Sequence, residues 1–281
     1  MSPRLKWACA VVWSLAVIGV LCMAYGYYIE PYWLEVTHVK IANAKLPPSA
    51  RPIRIVHISD LHCDPKVRLE ERLVDVVAEL RPDLIAFTGD AANSRAGVPN
   101  FRRCLSRLAQ LAPTFVVTGN WDARGRGDSN AFAGTGATEL DGDIVKLDIG
   151  DTTVCLAGIG FARHPSAAKV LDSLDGDVFT IFLYHTPGLI YDIARGNVDL
   201  YLAGHTHGGQ VALPFYGAMI TLSRFGKRFE AGLYRVDNTD MYVNRGIGME
   251  GGHAPRVRFF ARPEVTLIEV VPIPAEAAGP T

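Results

Sequence analysis

Cysteine is scarce in this sequence of 281 residues: it occurs five times, at positions 9, 22, 63, 104 and 155, and never as a Cys-x-x-Cys pair. That scatter excludes a disulfide-built scaffold and a thiolate zinc site. A surplus of charge of either sign is also missing. Lys and Arg number 28 against 29 Asp and Glu, for a formal net charge of -1. Without a broad positive field there is no general attraction for nucleic acid, so no such partner is expected and any phosphate chemistry must be local. Internal repeats and low-complexity tracts are absent. What remains, with 49% hydrophobic and 20% charged residues, is the composition of a globular chain.

The longest gap in charge is itself informative. From Trp7 to Ile29 there is no Asp, Glu, Lys or Arg, and such a run spans about 30 Å of hydrocarbon as a helix. Trp7 lies at one edge, and Tyr25, Tyr27, Tyr28, Tyr32 and Trp33 gather at the other, as interfacial anchors do. A cleaved signal peptide has a shorter apolar core that ends in small residues. This run is longer and ends in tyrosines, so residues 1–35 read as a retained, single-pass membrane anchor. Arg4 and Lys6 precede the span while Glu30 and Glu35 follow it. The charge rule then places the N-terminus in the cytoplasm and the main domain outside.

Beyond the anchor, one domain is expected over residues 36–272, followed by a disordered tail at 273–281. "LEVTHVKI" alternates as a strand does. "IRIVHISDLHCD", "DLIAFTGDAAN" and "PTFVVTGNWD" are apolar strands that stop at polar residues. "EERLVDVVAELRP" and "NFRRCLSRLAQLA" lie between them with helical spacing, the rhythm of a parallel sheet flanked by helices. In the second half, "IVKLDIGDTTVCLAGIG" predicts a hairpin turning at Gly150 and Asp151, and "SAAKVLDSLDGD" a helix. "VFTIFLYHTP" and "VDLYLAGHTHGGQV" predict further strands. From Phe229 on, short β segments are expected at the domain's edge.

Polar residues converge at these strand ends: Asp60, His62, Asp90, Asn120, His185, His205 and His207. In open α/β sheets, ligands gather at the carboxyl ends of strands. A mixture of carboxylate, imidazole and amide oxygen suits Mn, Fe or Zn, with Mn the first expectation, whereas an all-oxygen set would suit Mg or Ca.

"DLHCD", "GDAAN", "GNWD", "YHTP" and "GHTHGGQ", in that order, resemble the motifs of the calcineurin-like metallophosphoesterases. The resemblance runs from about Ile53 to Leu267. It implies a four-layer α/β/β/α sandwich, here preceded by one N-terminal transmembrane helix, with two divalent metal ions held between the loops. It also implies that Asp60, His62 and His207 hold one ion, that Asn120, His185 and His205 hold the other, and that Asp90 bridges them. Asp90, Asn120 and His185 are then the residues closest to catalysis. Such a pair of ions activates water and clamps phosphoryl oxygens.

One departure stands out. Family members usually carry a histidine after the Asn of this motif, which is taken to protonate the leaving group, and here that residue is Trp121. A tryptophan has no titratable group, so a leaving group that departs readily as an anion, such as that of a pyrophosphate bond, is favoured. Trp121 and Asp122 are expected to contact substrate, and Cys63 to lie behind the site or be incidental. Anchor and missing acid together point to a phosphorylated, amphiphilic substrate. Relatives that hydrolyse UDP-2,3-diacylglucosamine fit this best, although that substrate is cytoplasmic and the charge rule points outside. An exported phosphodiesterase acting on phospholipid or cell-wall phosphoesters is the alternative. A non-catalytic membrane scaffold is the alternative from another class.

Overall fold

The computed structural model describes residues 1–125, 130–251 and 256–273, and the statements below concern these residues. Apart from Ile273, the expected disordered tail lies outside them.

Helix α1 (Pro3–Tyr28) opens with Ser2 accepting a hydrogen bond from the Leu5 amide and with Pro3 at its first turn, both ordinary helix-start signals. It is long and apolar enough to cross a membrane, and almost none of its surface is covered by the rest of the protein. The first sheet comprises β1 (Glu35–Asn43), β2 (Ile53–Ile58), β3 (Leu84–Phe87), β4 (Thr114–Val116), β5 (Thr138–Glu139) and a late strand (Glu264–Pro272) inserted between β1 and β2. Its central strands run parallel, with α2 (Glu70–Leu80) and α3 (Val98–Ala109) as the crossovers.

The second sheet holds β6 (Asp143–Ile149), β7 (Thr152–Gly158), β8 (Phe179–Leu183) and β9 (Leu200–Ala203). Beside β9 lie β13 (Thr239–Val243) and then, at the edge, β12 (Gly232–Val236). Short strands β10 (Ala212–Leu213) and β11 (Gly217–Ala218) form a separate hairpin, and the late strand is β14. The hairpin of β6 and β7 turns where the sequence places it.

Strand periodicity builds the layers. Along β2, Ile53 and Ile55 face the second sheet, where they meet residues such as Ile181, Leu183 and Leu202. Val56 and Ile58 face the other way, onto Leu73 and Val77 of α2 and Phe101 and Leu105 of α3. Across the second sheet, Phe182 and Tyr201 pack on Val170 of α5 (Ala167–Leu171) and on Ile190 and Ile193 of α6 (Ile190–Ile193). Because successive side chains alternate faces, each strand serves two cores, which gives the four-layer α/β/β/α sandwich.

Two expectations change. The helix expected over 166–177 is only α5, since Ser173, Asp175 and Gly176 favour turns over helix interior. The C-terminal segments do not all lie at an edge. β12 does, but β14 is interior, because Val265 and Leu267 face the helix-side core while Ile268 and Val270 face the inter-sheet core. An apolar run with no polar face fits a strand covered on both sides.

Glu264 at the start of β14 ties the two sheets together. It is buried, pairs with Arg245 at 3.1 Å and accepts from the Tyr242 hydroxyl at 2.6 Å. Burial raises its pKa, but the Arg245 charge and hydrogen bonds outweigh that and leave it below the usual glutamate value of 4.5. A depressed carboxylate contributes stability above its unfolded pKa and loses it as pH falls through the folded value. Glu264→Gln should therefore cost about 3 kcal/mol at neutral pH and flatten the fall in Tm on acidification. An unchanged Tm–pH curve below pH 4.5 would contradict this.

Candidate metal centre

The C-terminal ends of strands from both sheets meet at one place. Asp60 and His62 follow β2, Asp90 follows β3, and Asn120 opens the short helix α4 (Asn120–Ala123) after β4. His185 follows β8, and His205 and His207 follow β9. Asp60, His62, Asp90, His205 and His207 all have positive φ, between 41° and 72°. Left-handed backbone at non-glycine residues costs on the order of 1–3 kcal/mol each and persists only where the surroundings impose it. At Asp60 and His62, bonds between the two loops support it: the Asp60 amide donates to Gly89 O at 2.9 Å and the His62 amide to Asp90 O at 3.0 Å. Two glycines keep space for the carboxylates. A Cβ at Gly119 would collide with the Asp90 side chain, and one at Gly204 with Ser59 and Asp60.

These side chains form two adjoining groups. Asp60, His62 and His207 offer atoms within 4.8 Å of one another, as do Asp90, His185 and His205. Asp90 Oδ2 lies 3.5 Å from His62 Nε2 in the first group and 3.4 Å from His185 Nε2 in the second. Asn120 Oδ1 joins the second group, 2.9 Å from His185 Nε2. All seven residues expected as ligands thus come together.

Metal ions fit this set. Asp60 Oδ1 and both ring nitrogens of His62 are buried without a hydrogen-bond partner, an arrangement that is costly unless something else satisfies them. Burial lowers the His62 pKa to about 4, with the Asp90 charge opposing. His205 is lowered to about 4 by burial and by the His185 charge. Both imidazoles are therefore neutral, as ligands must be. Burial would raise Asp60, but His207 and neighbouring imidazoles hold it well below the usual carboxylate range. His185 is pulled down by burial, yet the Asp90 carboxylate carries it up to about 10.

A supporting shell, not read from the sequence, orients the groups. His185 Nδ1 lies 2.7 Å from the Thr88 carbonyl, so that nitrogen donates and Nε2 is left toward the second group. Behind Asp60, the Thr88 hydroxyl donates to Ser59 Oγ at 2.8 Å, and Ser59 donates to Asp60 Oδ2. With the Thr88 proton so used, the buried His57 Nε2, 2.9 Å from Thr88 Oγ1, is the donor to it. Ser59 and Thr88 stand next to recognisable motif residues, but nothing in their local spacing marks them. Only the pairing of β2 with β3 makes them neighbours.

The structure corrects the substrate-contact expectations. Asp122 is buried, and its two carboxylate oxygens accept the amides of Asp90, Gly119 and Ala91 at 2.8, 2.8 and 3.0 Å. It clamps the loop that carries Asp90 instead of facing substrate. Burial, then the Asp90 charge, push its pKa up to about 6 against those three donors. Trp121 is 5% exposed. Its ring edge meets His62, with centroids 5.2 Å apart at 87°, and its indole N–H donates to Glu250 Oε1 at 3.3 Å. The indole is thus largely covered and packs against the His62 ring. Cys63 sits in the helix-side core, its thiol pushed well up by burial. The open part of the site is a cleft of about 420 Å³, where Asn120 and His205 meet Arg124, Phe161, Leu222 and Arg224.

Similarity to known proteins runs through the same residues. The sequence profile described as calcineurin-like phosphoesterase matches residues 53–209. The Bacillus subtilis metallophosphoesterase YkuE is 32% identical over 256 residues, covering 86% of this chain and 88% of that protein. The Escherichia coli phosphodiesterase YaeI is 31% identical over 257 residues, covering 88% and 92%. A Danio rerio transmembrane protein with a metallophosphoesterase domain is 31% identical over 280 residues, covering 92% of this chain and 62% of that one. With two adjoining groups of candidate metal ligands at the strand ends and a family match over more than half its length, the chain belongs to the calcineurin-like phosphoesterases and is a metal-dependent phosphoester hydrolase.

Proposed function

We propose that the chain hydrolyses a phosphodiester or pyrophosphate bond in an amphiphilic, lipid-linked substrate, at the membrane that α1 enters. The observation that carries the two-metal reading is Asp90 Oδ2, set between His62 of one group and His185 of the other. When bound, two divalent ions supply Lewis acidity and an activated water nucleophile. Asp60, His62 and His207 would hold one and Asn120, His185 and His205 the other, with Asp90 shared. Mn suits this donor set first, and Fe or Zn also fit it.

The remaining work falls to the chain's own groups. Asn120 contributes a neutral oxygen, which limits negative charge where phosphate must approach. Arg124 and Arg224 line the cleft and can hold phosphoryl oxygens by charge-assisted hydrogen bonds, while Phe161 and Leu222 give it an apolar wall. Trp121 cannot donate a proton as an imidazolium would, and Asp122 is committed to backbone amides. That pairing favours a leaving group stable as an anion. UDP-2,3-diacylglucosamine combines such a bond with acyl chains and is the specific candidate. The second reading is an exported phosphodiesterase for phospholipid or cell-wall phosphoesters, favoured by Arg4 and Lys6 before the span and Glu30 and Glu35 after it. A non-catalytic scaffold is disfavoured because every ligand position is filled.

Full-length protein loaded with Mn, in vesicles of phosphatidylethanolamine and phosphatidylglycerol, tests this. UDP-2,3-diacylglucosamine or a phospholipid diester should be cleaved with kcat/KM at least about tenfold above a water-soluble alkyl diester, a difference of one decade in transition-state stabilisation. Equal or lower kcat/KM for both lipid substrates would contradict a lipid-linked substrate.

A further inference from the structure

The stretch from Val211 to Phe229 is unusual for a surface. It contains no acidic residue, and Leu213, Phe215, Tyr216, Met219, Ile220 and Leu222 are all exposed, Phe215 completely and Ile220 by 67%. Exposed apolar side chains clustered this densely mark an interaction site. The basic residues Arg224, Lys227 and Arg228 follow directly, and the Lys227 ammonium lies 3.5 Å from the Tyr216 ring centroid.

Where this hairpin sits is fixed by α1. An apolar groove of about 800 Å³ is shared between α1, through residues such as Val20, Met23 and Tyr27, and Val211, Leu213 and Phe259 of the catalytic domain. The joint is rigid. The Arg258 amide donates to Gly26 O at 2.9 Å, and the buried Glu30 carboxylate accepts the Phe260 and Ala261 amides at 2.9 and 2.6 Å. At about 1.5 Å per residue, Val20 lies roughly 12 Å along the helix from Tyr28. A span anchored between Trp7 and the terminal tyrosines therefore places Val20 and Met23 within the hydrocarbon, or at its boundary with the headgroups. Whatever shares a groove with them is at that depth too.

We infer that the β10–β11 hairpin and the segment through Leu222 dip into the same bilayer that α1 crosses, making a second membrane contact. The occupant of this apolar face is lipid, with Arg224, Lys227 and Arg228 at the level of anionic headgroups. The segment then continues through Leu222, Ser223 and Arg224 into the wall of the metal cleft. The hairpin thus joins membrane to site, and a lipid-linked phosphoester reaches the cleft along it without leaving the interface. This last step rests on the proposed lipid substrate; the bilayer contact does not.

The test uses full-length protein, with Cys9 and Cys22 replaced by alanine, in vesicles of phosphatidylethanolamine and phosphatidylglycerol. The other cysteines are buried. A nitroxide is placed at Phe215→Cys or, as a control, at Asp151→Cys on the β6–β7 turn. The label at 215 should be relaxed more by oxygen than by a water-soluble nickel chelate, and the label at 151 the reverse. Preferential nickel access at 215 would overturn the inference. So would protection from both reagents with spin–spin broadening, which would mean that a second copy covers the hairpin. A Phe215→Ser, Ile220→Ser double variant should lose about tenfold in kcat/KM toward vesicle-embedded substrate, from weaker interfacial insertion, and nothing toward a soluble aryl diester. Equal losses on both, or none on either, would overturn the route along the hairpin. A label in the bilayer with no turnover of any lipid substrate would leave the membrane contact standing and refute the proposed substrate class instead.

Discussion

Asp90→Ala is expected to lower kcat/KM by at least about 10³-fold, because the Lewis-acid contribution of a metal pair is worth several kcal/mol and each 1.36 kcal/mol is a decade. The size follows from position. Oδ2 is the atom between the two histidine groups, and Oδ1 accepts the Trp121 amide at 2.8 Å, so one carboxylate sets both ligand spacing and loop placement. Asp90→Asn separates the two effects, since its amide can keep the loop contact while offering one oxygen instead of two. The Ala variant should lose metal and activity, and the Asn variant should retain fold and loop but bind the metal pair weakly. Near wild-type turnover by Asp90→Ala, after chelation and reloading with Mn, would show that the carboxylate is not shared between ions.

The second large effect concerns Trp121. With no imidazole there, wild-type rates should fall steeply as leaving-group pKa rises, with aryl diesters and pyrophosphates turned over well and alkyl esters poorly. Trp121→His should flatten that dependence, with a ceiling of about 10²–10⁴-fold on the poorest leaving groups, the usual worth of a positioned general acid. The structure sets the gain below that ceiling. The smaller ring gives up the edge contact with His62 and the hydrogen bond to Glu250, so some catalytic geometry is lost as protonation is gained. Good leaving groups, which need no proton, should therefore be unchanged or slower. Both kcat and KM across a leaving-group series separate chemistry from binding. Parallel plots for the two proteins would mean that residue 121 has no part in leaving-group departure.

Some of this was legible because the residues carry short-range signals. Alternating apolar strands ending in Asp, His and Asn marked the sheet and the site together, since strand ends are where a parallel sheet presents chemistry. What was not legible depends on contacts far apart in sequence. β14 follows β13 in the chain yet lies between β1 and β2, an insertion set by the two cores it serves. Asp122 is adjacent to Asn120 and Trp121, so proximity in sequence made it a substrate contact. Only the fold shows its oxygens turned onto the amides of 90, 91 and 119. Trp121 is a similar case, because a tryptophan beside Asn120 reads equally as a substrate contact or as packing. In the structure its ring is largely buried. The apolar run after His207 is harder still, since sequence alone does not say whether protein or lipid covers such a run.

The central claim is a pair of ions shared through Asp90. Anomalous diffraction from crystals of the Mn-loaded full-length protein, collected at the metal edge, tests it most directly. The account predicts two peaks per chain, one among Asp60, His62 and His207 and one among Asn120, His185 and His205, with Asp90 contacting both. A single peak in fully active protein, or two peaks with Asp90 turned away from either, would contradict it.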